Sequence, residues 1–252
     1  MQTAAEQSVI NPNKSGSASN PLGFDSFFSR EQFEKIRALM HYKHAEAGTL
    51  LFWEGEPIGK MYYICSGKIK LRKSTEEGRD FILSIMQTGD LVFEPEDGIG
   101  TVHSFTAEVM EDSELGIIQW KDLESLLAQD GELAVCFIHW MALMQKITSS
   151  KFRDLLLYGK TGALASTLVR LSNSYGVRSE DGLKINLKLT NSELADFIGT
   201  TRESVNRMLS TLREKGILDI RKGYIHILDL DGLKTECECP AFPGCSKEVC
   251  RI

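Results

Sequence analysis

The sequence predicts an α+β chain with three parts: an N-terminal double-stranded β-helix (jelly-roll) of sensor type, a long dimerisation helix and a C-terminal winged helix-turn-helix. Three observations predict it. Between positions 48 and 121 the runs LLFWEG, MYYICSG, IKLRKS, FILSIM, LVFE, FTAEVM and LGIIQW are punctuated by Gly55, Gly67, Gly78 and Gly89. An interval of 11 or 12 residues between glycines is the rhythm of strands and turns in a small double-sheet roll. From 131 to 158 the chain has no proline and sets Leu133, Phe137, Met141, Met144, Ile147 and Leu155 at near-heptad spacing. From 189 to 218, LTNSELADFIGTTRESVNRMLSTLREKGIL reads as two short helices bent around Gly199.

A chain of 252 residues with 42% hydrophobic content has room for two domains and can bury a core. No apolar run approaches the ~18 residues that span a bilayer, and the start MQTAAEQSVINPNKSGSASN has neither a basic nor an apolar segment. A cytoplasmic protein without a membrane partner is expected. The net charge of −6 is unevenly distributed: positions 151–223 hold 13 Lys+Arg against 8 Asp+Glu, a local +5 that leaves −11 for the rest. The positive segment attracts phosphates and the acidic remainder limits nonspecific binding.

In chain order, residues 1–23 are rich in Ser, Asn and Gly without periodicity and read as a flexible tail. Residues 24–130 form the sensor-like roll domain, which opens with Phe27, Phe28, Phe33, Ile36 and Leu39 at helical spacings, a short helix or two packing on the strands that follow. Its interior holds either a ligand or only its own side chains. The helix over 131–158 would be about 40 Å long, more than one small roll covers. A partner helix in a two-fold homodimer is therefore expected, which would set two reading helices about one DNA turn apart.

Residues 159–228 make the winged module: a helix over 163–175, turns at Gly176 and Gly182, a strand at LKINLKL, the reading helices, and a two-stranded wing over 220–227 centred on Lys222 and Gly223. Thr190 and Glu193 form a T-x-x-E capping box that starts the first reading helix at Asn191. The second begins near Thr201. Val205, Met208, Leu209 and Leu212 face inward at spacings of three and four, so Arg202, Glu203, Asn206 and Arg207 point outward, with Thr201 and Ser204 beside them as further candidate contacts. Arg donates two hydrogen bonds to guanine and Glu accepts from cytosine, so this set suits the major groove. A helical hairpin with a solvated charged face gives the same spacing.

Residues 229–252 hold four of the six cysteines, Cys237, Cys239, Cys245 and Cys250; Cys65 and Cys136 stand alone in apolar surroundings. Without a secretory signal, such a cluster points to a metal rather than to disulfides. Zinc knuckles take ligands in C-x2-4-C pairs, which C-x-C-x5-C-x4-C fits poorly, and a metal-free thiol switch is a further reading. No enzyme is expected. His41, His44, His103, His139 and His226 are scattered, and GKTG at 159–162 lacks the first glycine of a P-loop because position 154 is Asp.

The order of roll, long helix and winged module, with the run GTTRESVNRMLSTLREKGIL, resembles the CRP/FNR superfamily of bacterial transcription regulators over nearly the whole chain. The resemblance implies that Arg202, Glu203 and Arg207 read bases, that the target is double-stranded DNA with TGTGA-like half-sites in an inverted repeat, and that RNA polymerase is a partner. KFRDLLLYGKTGALASTLVRLSNSYGV and the cysteine cluster are similar to the Bacillus-type Fnr branch, which implies regulation of anaerobic genes through an oxygen-labile 4Fe-4S cluster held by three cysteines and an aspartate. The aspartate matches Asp154, which by spacing alone is a solvated helix charge. Cys245 and Cys250 keep the branch's x4 spacing, but position 242 is Phe, so the third thiolate comes from Cys239 or Cys237, which leaves two arrangements: three cysteines with Asp154, or all four cysteines with Asp154 idle. The cyclic-AMP receptors of the superfamily carry an arginine cassette in the roll. This chain has no arginine from 81 to 123, so no cAMP is expected. The alternative is an effector-binding regulator of the same family with a structural zinc or thiol switch.

Overall fold

The computed structural model describes residues 23–95, 102–180, 182–239 and 244–252. The expected tail over 1–23 lies, but for its final residue, outside them, as does Phe242. The chain divides into two compact units, Met1–Ile69 with Met86–Met141, and Lys70–Ile85 with Ala142–Ile252.

An antiparallel six-stranded sheet carries the roll. Its strands are β1 (His41–Ala45), β2 (Leu50–Phe52), β3 (Lys60–Ser74), β4 (Asp80–Gln87), β5 (Leu91–Val92) and β6 (Thr106–Gln119), in the order β1-β6-β3-β4, with β2 on β6 and β5 on β3. Burial alternates along β3 and β6, as a strand with one face on the core requires. Gly67, expected at a turn between two strands, instead lies inside the 15-residue β3. Its φ is +104°, and a Cβ there would fall 2.0 Å from Ser113 Oγ, so glycine admits close approach of another chain segment rather than a reversal. The runs FTAEVM and LGIIQW likewise join as β6, and the helix α1 (Arg30–Arg37) is opened by a Ser29–Gln32 capping box. A second helix, α2 (Trp120–Gln129), follows β6 without a distinct signal in the sequence.

The long helix α3 (Gly131–Leu157) belongs to both units. Its first turns are fixed by an aromatic cluster, with Phe24 fully buried and its ring 4.8 Å from Phe28 and 5.0 Å from Trp140.

The second unit is built around α4 (Gly159–Tyr175), buried along most of its length. It starts four residues before the expected position 163, because Gly159 and Lys160 form its first turn. Lys160 Nζ donates to Ile198 O (3.0 Å) and Gly199 O (2.9 Å), so the lysine of GKTG caps a neighbouring helix C-terminus. A four-stranded antiparallel sheet of β7 (Gly176–Ser179), β8 (Gly182–Ile185), β9 (Leu218–Arg221) and β10 (Tyr224–Ile227) runs β7-β8-β10-β9. The turn expected at Gly176 and Gly182 is thus a hairpin with a strand on each side. Within this unit the 70–85 segment is tied to the helices by Tyr175 Oη donating to Ile85 O (2.7 Å) and Lys151 Nζ to Leu83 O (3.2 Å).

Candidate functional site

Helix α5 (Asn191–Ile198) starts at Thr190, with both bonds of the capping box to Glu193 present. It ends at Gly199 in the left-handed conformation (φ 59°, ψ 50°), which a residue with a Cβ adopts at a cost. Helix α6 (Arg202–Glu214) follows, its N-cap Thr201 accepting from Ser204 N. Val205, Leu209 and Leu212 are buried against the core while Arg202, Glu203, Asn206 and Arg207 are exposed side by side. Thr201 is exposed too, and Ser204 half-buried. Arg207 Nη2 donates to Ser204 Oγ (3.3 Å), and Asn206 Oδ1 accepts from Asn191 Nδ2, so two of the four outward groups are held from behind. The Glu203 carboxyl is held below its usual range, chiefly by its own backbone N–H and by the Thr201 side chain, so it stands ready as an acceptor.

The second constellation lies where α3, α4 and the end of α7 (Leu230–Glu236) meet the 244–252 segment. Helix α7 opens on Asp229, whose side chain accepts from Gly232 N, a signal present in the sequence but unread there. Cys237, Cys239, Cys245, Cys250 and Asp154 line one narrow cleft whose enclosed space is about 10 Å³. Among the described residues no three His, Cys, Asp or Glu side chains converge on a point where one metal ion would sit.

Asp154 is the main correction to the sequence reading. It is 6% exposed rather than solvated. Its Oδ1 accepts from Arg153 Nε (2.9 Å) and Nη2 (2.6 Å), and its Oδ2 from Arg170 Nη2 (2.6 Å) and Nε (3.2 Å) and from Ser166 Oγ (2.5 Å). Burial alone would raise its pKa; Ser166 and Arg170, with Arg153, outweigh burial and hold the carboxyl below its usual range. Arg153 also reaches Cys245 Sγ at 3.7 Å. Burial pushes the Cys237 thiol up to about 12, helped by Cys239 and Asp154 nearby, and burial likewise raises Cys239 and Cys250. Negative charge on any one sulfur is opposed by the others. A cationic guest would remove that opposition.

Arg170 was not anticipated. It is 2% exposed within the apolar run LVRL of α4, and a buried guanidinium requires a carboxylate partner on a facing element. That rule could have pointed from Arg170 to Asp154.

An antiparallel roll, a 27-residue helix and a winged helix-turn-helix with an exposed Arg-Glu-Asn-Arg face define a DNA-binding transcription regulator rather than an enzyme. Comparison with known proteins narrows this. The Crp-like helix-turn-helix domain family matches residues 162–236 and the cyclic nucleotide-binding domain family matches residues 42–130. The chain is 42% identical over 233 residues to an anaerobic regulatory protein of Bacillus subtilis (strain 168), covering 89% of this chain and 94% of that one. It is 27% identical to a CRP-like cAMP-activated global transcriptional regulator of Mycobacterium tuberculosis, over 74% of this chain and 83% of that protein. The structure of FixK2 from Bradyrhizobium japonicum superposes with a TM-score of 0.68 over 78% of this chain and 96% of that one, at 21% identity, which speaks for the fold alone. The chain belongs to the CRP/FNR family of transcription regulators.

Proposed function

We propose that this protein is a homodimeric, sequence-specific regulator of anaerobic gene expression whose DNA binding answers to oxygen through a 4Fe-4S cluster. Cys239, Cys245, Cys250 and Asp154 would hold the cluster, with Cys237 as the alternative to Cys239. The observation that carries this is the cavity ringed by four thiols and one carboxylate. Thiolates with a carboxylate are a donor set that would suit the irons of such a cluster. The similarity to the anaerobic regulator of Bacillus subtilis supports the same reading. Cys237 is 4% exposed and its Sγ donates to Lys234 O (3.3 Å), which favours Cys239 as the third thiolate. When bound, the cluster supplies iron and sulfide that oxygen attacks.

The chain's own residues do the rest. Ser166 and Arg170 orient the Asp154 carboxylate from the side of α4, and Arg153 covers its other oxygen. On α6, Arg202, Glu203 and Arg207 read bases, Asn206 modifies the choice, and Thr201 and Ser204 lie close enough to meet the backbone of the same half-site, TGTGA-like and repeated in inverted order. RNA polymerase is the expected protein partner.

Anaerobic purification tests the sensing. The expected protein is brown, carries iron and sulfide, and loses both colour and operator affinity in air; a colourless protein without iron would overturn the reading. For the DNA face, Arg202→Ala and Arg207→Ala should each weaken binding to the matched site by about 1–3 kcal/mol and relax base preference there, measured by anisotropy titration on matched and single-base variant duplexes. An equal loss on random DNA would contradict base reading.

A further inference from the structure

We infer that the 249–252 segment is anchored to α4 by Arg170, Asn173 and Ser174 through contacts that need no metal at the four thiols, so that loss of a cluster leaves this segment docked and acts through Asp154 instead. Arg170 is the centre of the anchor. Its Nη1 donates to Val249 O (3.1 Å) and Arg251 O (3.3 Å), while its Nη2 and Nε hold Ser150 Oγ (2.7 Å) and Asp154 Oδ2 on α3. One guanidinium thereby joins α3, α4 and the 249–252 segment. Two further bonds extend the row along α4: Asn173 Nδ2 donates to Cys250 O (2.7 Å), and Ser174 Oγ accepts from Ile252 N (3.0 Å). Arg251 and Ile252 are each 7% exposed, so the segment is packed as well as bonded. None of these four contacts involves a sulfur atom.

A simple account of oxygen sensing has the cluster as the cross-link that pins the cysteine segment, and its loss as release of that segment. The anchor contradicts the release. Five donor contacts already converge on the two oxygens of Asp154, about the lone-pair capacity of a carboxylate, so Asp154 takes up an iron only by giving up one of them. Arg153, with a third of its side chain in solvent, is the partner free to leave; Arg170, 3% exposed, is not. What a cluster would change is then the pairing of Asp154 on α3. This last step rests on the proposed cluster, whereas the anchor does not.

Hydrogen–deuterium exchange on the full-length protein tests the anchor. Peptides over 246–252 should exchange slowly in air-exposed, reduced wild type and in the protein with all four cysteines of 237–250 changed to Ser. In Arg170→Met, which keeps the length and loses every donor, exchange there should rise by roughly tenfold or more, the factor that hydrogen bonds to a charged group are worth. Should Arg170→Met fail to fold, Asn173→Ala with Ser174→Ala should raise exchange in 246–252 by several-fold while α4 stays protected. Exchange at the rate of an unstructured chain in iron-free wild type would overturn the anchor, as would indifference to these substitutions. Iron content of the same wild type, purified without air, is read separately: a protein with no iron but a protected segment refutes the cluster and leaves the anchor standing.

Discussion

A single carboxylate illustrates how far residue-level pattern carries. Asp154 sits on the surface-coloured run KFRDLLLY, and helical spacing puts it outside. Its burial is decided by Arg170, sixteen residues on and in another helix, a pairing that no local window contains. The outward set of α6 was legible for the opposite reason: the 3.6-residue period alone separates Val205, Leu209 and Leu212 from Arg202, Glu203, Asn206 and Arg207. Removing one member of a buried ion pair leaves the other charge without compensation. Asp154→Ala should therefore lower the urea-unfolding free energy of the iron-free protein by about 3–5 kcal/mol, where a solvated helix charge would cost under about 1. Asp196, on α5, runs the other way: burial, Asp80 and Glu193 all raise its pKa. An acid whose folded pKa is raised contributes stability below its unfolded pKa and loses it as pH rises through the folded value. At neutral pH the charge is thus a burden, and Asp196→Asn should stabilise the protein by a few tenths of a kcal/mol at pH 7 and by nothing near pH 3, as read from paired denaturation curves.

At the scale of elements, helix starts and the wing could be read from caps and glycines, α7 through its Asp229 cap included, whereas continuity across Gly67 and the helix α2 could not. A glycine that permits close strand approach looks the same in sequence as one that permits a turn. The long helix shows a subtler displacement. The near-heptad stripe read from the sequence is largely spent inside the chain, with Leu133, Phe137 and Ile147 at 5% exposure or less. A second stripe, Val135, Ile138, Ala142, Gln145, Ser149, Phe152 and Leu156, alternates steps of three and four without a break, and every member is exposed. The spacing is that of the a/d positions of a coiled coil, apolar at both ends and polar at Gln145 and Ser149, where polar residues in a seam fix register at some loss of stability. Ile138, 59% exposed, and Phe152, 64% exposed, have no use in a lone chain. Ile138→Glu or Phe152→Glu should shift the protein to monomer in sedimentation velocity at concentrations where wild type is dimeric, with little change in thermal midpoint of the second unit. A wild type that sediments as a monomer at tens of micromolar would refute the seam.

The molecule as a whole is acidic, yet the 151–223 segment is not. With +5 gathered between 151 and 223 and −11 elsewhere, the segment that carries α6 and β9 attracts a phosphate backbone more than the remainder of the chain does. This separates two kinds of loss that a binding assay can distinguish. The wing tip carries Lys222 in the turn between β9 and β10 and Arg221 at the end of β9, both exposed and remote in sequence from the outward side chains of α6. A lysine on a phosphate adds counterion release and no sequence information, about one unit of slope in log K against log salt for each contact. Lys222→Ala should accordingly weaken binding to matched and random duplexes by the same factor and reduce the salt slope by about 1 per protomer. Arg207→Ala should penalise the matched duplex far more than the random one. If the two substitutions give the same pattern, the outward face of α6 contributes charge alone, and the sequence preference must be sought in the deformability of the DNA instead.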